Sequence, residues 1–373
     1  MPSGARRRTA SITATAIAVT AATTSAPQTR FTGADAIAVL CRRRPRGRVS
    51  PGWCTVPRTD GTAPITVAPL ERADLAAADR VFRLAFGTIL GLEEPLRFAD
   101  GADPIRSRWT ASPDAAFKAV LDGELVGSAF VRRWGSFAVF GPLTVRPDLW
   151  ERGIGSRLWD ACLPVVDGWD VSQTGLFTFA ESTKHVHLYR KHGFWPRFLT
   201  ALTEKPLAGA AVSVETLATL GDRDRAEALE ACRAIAGAIF PGLDLAREIE
   251  TVMEQDVGDV VLVRDEAAVA GFAVCHVGPG SEAVRGTCYV KFAAVCPGDR
   301  PRELLGALLD SCESFAARRG ATRLEAGVSL AREGAAQVLA ERGHRTFRQG
   351  VGMHRPNGEA FNRPDAFVLD DWR

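Results

Sequence analysis

The sequence predicts an α/β protein made of two consecutive units of similar plan, and three observations carry that expectation. Strand-like and helix-like apolar runs alternate from about residue 62 onward. The same order of runs occurs twice, with Gly127 preceding Gly193 by 66 residues and Gly271 preceding Gly343 by 72. A length of 373 residues suits two to three units, and 46% apolar residues supply each with a core. The expected divisions are 1–61 for an extension, 62–205 for the first unit and 206–373 for the second.

The extension opens on MPSGARRR and a mildly apolar Ala/Thr/Ile stretch, the outline of an export signal that Thr and Ser interrupt throughout. The following CRRRPRGRVSPG has no period and reads as disorder. Ten Arg against Asp35 and Asp60 lie in the first 60 residues, which leaves 36 basic and 42 acidic residues for the rest. The folded part therefore offers no basic face for a phosphate backbone, and nucleic-acid binding is disfavoured. No run of 18 strongly apolar residues occurs, so a cytoplasmic protein without a membrane span is expected. Eight Cys include no CxxC pair, and Cys275 and Cys312 sit in apolar runs, so buried thiols are expected and a metal is not.

In the first unit ITVAPL reads as a strand, and the helix after Glu71 carries Leu75, Ala78, Phe82 and Ala85 on one stripe. Gly87 to Pro113 reads as irregular. FKAVLDGELVGSAFV is a hairpin about Asp122-Gly123. SFAVFGPLTV is a strand whose Gly141-Pro142 should force a bulge, because Pro cannot donate to the ladder. A helix follows with Ile154, Leu158, Cys162 and Val165 on one face, entered through Arg152-Gly153-Ile154-Gly155-Ser156. Its first-turn N–H groups lack intrahelical acceptors, and glycine lets a backbone curl around an anion such as a pyrophosphate, with the Arg152 side chain assisting. A dinucleotide fingerprint is excluded by Leu158 where a third glycine belongs, and a phosphate loop by the lack of GKS or GKT. GLFTFAES then reads as a strand, TKHVHLYRKHGF as a short helix, and FWPRFLTAL as one or two strands. Tyr189 on that helix either faces a cleft or packs against Phe194.

The stretch from Leu143 to Phe194 resembles the acyl-CoA-binding core of the GNAT superfamily of N-acetyltransferases in four ordered pieces: LTVRP, RGIGSRLW, GLFTFA and LYRKHGF. The resemblance implies a mixed, splayed sheet flanked by helices, whose opening receives acetyl-CoA or another acyl-CoA. It implies Leu143, Thr144 and Val145 beside the pantetheine. Trp150, Glu151, Arg152 and Gly153, continuing through Ile154, Gly155 and Ser156, would hold the pyrophosphate. It further implies that Tyr189 protonates the departing thiolate. One departure stands out, since Trp150 occupies a position where the family usually has Gln or Arg. Acyl transfer needs an amine that has lost its proton, and Glu181 at the strand end is the candidate base, with His185, His187 or a water chain as alternatives. Backbone N–H groups beside Gly141-Pro142 could polarise the thioester carbonyl.

The second unit repeats the order: the helix RAEALEACRAIAGAIF, the hairpin VVLVRDEAAVAGFAVCHV, the strand TCYVKFAAV, the helix PRELLGALLDSCESFAARRG, the strand TRLEAGV, the helix EGAAQVLAERG and the strand TFRQGVGM. Its loop reads CPGDRPRELLG, and Leu339 stands opposite Tyr189, so this copy resembles the superfamily in degenerate form and reads as a non-catalytic partner domain. His276, Glu282, Cys288, Tyr289 and Lys291 lie along an unusually polar stretch that could recognise a polar substrate. In the terminal DDWR, Trp372 should dock while its charged neighbours stay wet. The reading is a two-domain N-acetyltransferase acting on a small-molecule amine or a peptide amine. A longer acyl-CoA, or an acyl-CoA-binding module without turnover, stands as the alternative.

Overall fold

The structure, a computed structural model, describes residues 64–209 and 213–373. The readings of the extension, residues 1–61, lie outside the described residues.

The first half runs β1 (Thr66–Pro69), α1 (Leu75–Ile89), α2 (Pro104–Ala111), β2 (Ala116–Leu121), β3 (Glu124–Trp134), β4 (Phe137–Val145), α3 (Ile154–Gly168), β5 (Gln173–Thr178), α4 (Thr183–Lys191) and β6 (Trp195–Pro206). Asp122 and Gly123 both take positive φ, 52° and 82°, and make the two-residue turn that matches the twist of β2 and β3. The stripe Leu75, Ala78, Phe82 and Ala85 of α1 is buried, as are Ile154, Leu158 and Cys162 of α3. Each large apolar side chain so buried contributes roughly 1.5–3 kcal/mol, which holds helices without strong propensity against the sheet. The stretch read as irregular contains α2, whose N-cap Asp103 accepts from the Arg106 N–H and whose first residue is Pro104.

The second half runs α5 (Asp222–Ile239), α6 (Ala246–Glu254), β7 (Gly258–Asp265), β8 (Ala268–Val277), β9 (Thr287–Val295), α7 (Pro301–Arg318), β10 (Arg323–Ser329), α8 (Glu333–Glu341), β11 (Arg345–Arg355) and β12 (Val368–Leu369). From β7 to β11 it follows the order of β2 to β6, as the repeat predicts. β9 is buried at every position, so both faces of the sheet are covered there.

The expected pair of separate sheets is not what forms. One continuous sheet of 12 strands has the order β1-β2-β3-β4-β5-β11-β6-β10-β9-β8-β7, with β12 on β9. The halves exchange their last strands: β6 pairs with β10, β11 pairs with β5, and β6 and β11 pair with each other from Arg345↔Glu204 to His354↔Trp195. The sheet therefore does not divide at residue 206, and the backbone hydrogen bonds that finish each half come from the other.

Two splays interrupt this sheet. The parallel pairing of β4 with β5 covers only Phe137–Val139 against Gln173–Gly175, after which β4 runs on beside β3 alone. A register shift opposite Gly141-Pro142 produces the bulge the sequence calls for. The corresponding splay of β9 from β10 follows Val290, and there β12 lies against β9 with Val368↔Ala294 and Leu369↔Ala293. The second opening is filled by the chain itself. Asp370 and Asp371, expected to stay wet, are buried at 2% and 1% exposure. Arg332 binds both Asp370 carboxylate oxygens at 3.1 and 3.2 Å, and the Tyr289 hydroxyl donates to Asp371 at 2.9 Å.

Candidate active site

A cavity of about 970 Å³ occupies the β4–β5 opening and continues across β11 and β6 to β10 and β9. Its first wall is the end of β4, where Leu143, Thr144 and Val145 face it, and the turn from β4 into α3. Gly153 caps α3 with φ +75°, in the left-handed region that glycine enters without penalty, and no side chain caps the helix. The first-turn N–H groups, with the positive end of the helix dipole behind them, are thus left for a ligand. Gly155 matters for a different reason: a Cβ there would stand 3.3 Å from Leu188 Cδ2 and narrow the approach. These features fit a pyrophosphate.

Trp150, Glu151, Gly153, Ile154, Gly155 and Ser156 line the cavity. Arg152 is exposed and is not among the lining residues, so the side-chain help expected from it is not in place. Trp150 donates from Nε1 to the Val145 carbonyl at 2.7 Å, and Lys184 holds its Nζ 3.6 Å from the centre of the indole ring. Lys184 also lines the cavity. A cation reaches this loop from α4 where the sequence had pointed to Arg152.

Tyr189 is the buried residue of α4, and both sequence readings of it hold together. Its ring packs edge-on to Phe140 and Phe194, with centroids 6.1 and 6.2 Å away, while it also lines the cavity. Among the described residues nothing hydrogen-bonds its hydroxyl. Burial pushes the phenol well above its usual pKa, so it stays protonated. Glu181, the expected base, lies exposed in the turn before α4 and is not on the cavity wall. His185 does line it, but burial, with help from Lys184, lowers its pKa to about 4, and its Nδ1 is taken by the Ser182 hydroxyl at 2.7 Å.

The far wall comes from the second half. Glu282, Tyr289 and Glu325 line it, together with Phe347 and Arg348 of the exchanged strand β11. Glu282 is held by Arg108 of α2 at 2.7 Å and by Lys291 at 2.6 Å, and Lys291 also reaches Glu248 at 2.6 Å. Burial alone would raise the Glu282 carboxyl, yet Arg108 and Lys291 hold it well below the usual range. The same contest leaves Glu248 at about 2, with Lys291 and Arg132 overriding burial. Carboxylates held by such cations are weak bases, and Glu282 ties α2 to β9. Of the polar stretch singled out in the sequence, Glu282 and Tyr289 reach the cavity, while His276, Cys288 and Lys291 are buried and do not line it. Sequence reasoning missed Arg108, Glu325 and Arg348. The Asp103-Pro104 helix start was a usable signal for the first.

Residues 85–194 match the acetyltransferase (GNAT) family model. This part of the chain is similar to that family. The match runs from within α1 to Phe194, three residues beyond α4, so it contains the uncapped α3 N-terminus and Tyr189. No curated protein matches the sequence. Among solved structures, a candidate acetyltransferase from Pyrococcus horikoshii is 15% identical with a TM-score of 0.60, over 83% of this chain and 95% of that one. A GCN5-related N-acetyltransferase from Sphaerobacter thermophilus is 18% identical with a TM-score of 0.52, over 78% and 95%. At such identities the likeness is one of fold. It extends the GNAT-like architecture, a mixed sheet flanked by helices, over most of the chain. No helix among the described residues is long and apolar enough to cross a membrane.

Proposed function

We propose that the protein is an acyl-CoA-dependent N-acyltransferase, using acetyl-CoA, with the reaction centred in the first half and the acceptor wall supplied largely by the second. The observation that carries this reading is a single cavity joining the uncapped N-terminus of α3, the Tyr189 hydroxyl and a charged far wall. Acetyl-CoA would bring the thioester; the chain's own groups do the rest. The α3 amides and Lys184 bind the phosphates, the bulge at Gly141-Pro142 leaves backbone donors beside the opening, and Tyr189 donates a hydrogen bond to the departing sulfur. Full proton transfer from Tyr189 is uphill, because its raised pKa lies above the roughly 8.5 of a thiol. The cavity's continuation past Tyr189 favours turnover over a binding module, since an acceptor has a place to enter.

Calorimetry on the full chain tests the reading, with CoA as titrant. The protein should bind CoA, and Gly155→Val should weaken it by about tenfold or more, about 1.4 kcal/mol, because the new methyls crowd Leu188 and the phosphate approach. Absence of binding to the native chain would sink the assignment, and an unchanged affinity in the variant would sink this cradle.

The acceptor's proton should leave through water. Glu181 is off the cavity, and His185, with a pKa of about 4, is already neutral above pH 5 and does not titrate between pH 6 and 9; His187 also lines the cavity and is the protein group that would compete with water. An alkyl ammonium near pKa 10 gains free amine about tenfold per pH unit below that value. The expected kcat/KM therefore rises with slope near one from pH 6 to 9. A plateau beginning near pH 6.5 would instead reveal a protein base.

A further inference from the structure

Arg348 reaches the cavity through two irregularities of the fold. The first is the strand exchange, which sets β11 of the second half beside β5 of the first. The second is a bulge in β11: Thr346 faces Thr203 and Arg348 faces Leu202 on β6, leaving Phe347 as the extra residue. In a regular strand neighbours point to opposite faces, yet Phe347 and Arg348 both line the cavity. The bulge has re-aimed them.

An aromatic cluster lies beside this guanidinium. Its Cζ lies 5.5 Å from the Phe179 ring centre. Phe179 meets Phe86 edge-on at 6.4 Å, and Phe86 stacks on Phe98 at 5.3 Å. All three rings are on the cavity wall. The other two arginines of that wall are already committed, Arg108 to Glu282 at 2.7 Å and Arg373 to Asp371 and Glu325 at 2.9 and 3.2 Å. Among the described residues no acid pairs with Arg348. A half-buried guanidinium against an aromatic ring on a cavity wall is suited to a planar anion that accepts two parallel hydrogen bonds.

We infer that the acceptor is an amine that also carries a carboxylate on an apolar body, with Arg348 binding the carboxylate and Phe86, Phe98 and Phe179 receiving the body. This rests on the proposed acyl transfer for its name as acceptor site, and it deepens that reading by giving the substrate a class. β11 neighbours β5 directly, with Val351 opposite Thr178, so Arg348 is carried by the strand wall of the cavity and not by the α3 loop.

Binding, and not turnover, provides the test. Phenylalanine, leucine and 6-aminohexanoate are titrated into the full chain, with and without CoA, beside phenylalanine methyl ester, leucine methyl ester and hexylamine. At least one free acid should bind about tenfold or more tighter than its partner lacking the carboxylate. Arg348→Gln should erase that preference and Arg348→Lys should keep part of it, with CoA affinity unchanged in both. Acids binding no better than their partners, or a preference that survives Arg348→Gln, would overturn the inference. So would a loss of CoA affinity in the variants, which would assign Arg348 to a phosphate. A native chain that prefers the acids through Arg348 yet binds no CoA would sink the transferase reading and leave this site standing.

Discussion

Replacing Arg332 by alanine should destabilise the folded chain by about 3–5 kcal/mol, the usual cost of leaving one member of a buried ion pair alone. Arg332 is fully buried and its partner Asp370 is 2% exposed. The guanidinium also donates to the Val368 carbonyl at 3.1 Å, so it fixes β12 in the second splay as well as neutralising the acid. The pH dependence follows from sign. Burial already raises the Asp370 carboxyl, with Arg332 opposing it, and removal of Arg332 raises it further. A carboxyl whose folded pKa exceeds its unfolded value of about 3.9 costs nothing below that pH; the cost grows as pH rises towards the folded pKa and is complete above it. Urea unfolding should therefore show a larger deficit at pH 7 than at pH 4.5. The double variant Arg332→Leu with Asp370→Leu should recover most of the loss, because the charge and its partner leave together. A deficit under about 1 kcal/mol, or a double variant no better than the single one, would show that the pair does not hold the plug.

That ion pair also marks where reading the sequence stops. Asp370 and Asp371 looked solvated because acidic side chains are rarely buried unless paired, and nothing in DDWR names a partner 38 residues away. The strand exchange was invisible for a related reason. The backbone donates the ladder hydrogen bonds, and the side-chain pattern of Trp195–Pro206 is the same whether that strand returns to β5 or crosses to β10. Local chemistry was legible. Asp122-Gly123 turns as expected because both residues tolerate positive φ, Gly141-Pro142 bulges because Pro cannot donate, and RGIGS opens an uncapped helix. Tyr189 reached the cavity because its place on a short helix is set by that helix's single buried face. Glu181 lies in a turn, where no periodicity fixes which way a side chain points, and it ended in solvent. Arg348 depended on the exchange and on a one-residue bulge together.

The largest catalytic effect is expected from Tyr189→Phe, which should lower kcat by about 10²-fold while leaving CoA affinity and stability close to those of the native chain. The ring is held by Phe140 and Phe194, and phenylalanine keeps both edge-on contacts. The hydroxyl has no protein partner among the described residues, so its removal strands no donor or acceptor and should change stability by less than about 1 kcal/mol. What disappears is the phenolic O–H that α4 brings to the cavity wall. General acids contribute about 10²–10⁴-fold, and the lower end applies here for a stated reason: with the phenol raised by burial above a thiol's pKa, Tyr189 stabilises the leaving sulfur by hydrogen bonding without completing the transfer. The same raised pKa means that native turnover should show no loss up to pH 10, where an ordinary tyrosine would begin to ionise. Single-turnover measurement of CoA release separates the chemical step from product release. Near-native rates in that experiment would remove Tyr189 from the reaction, whereas parallel losses of CoA affinity and thermal stability would return it to the role of a packing residue between Phe140 and Phe194.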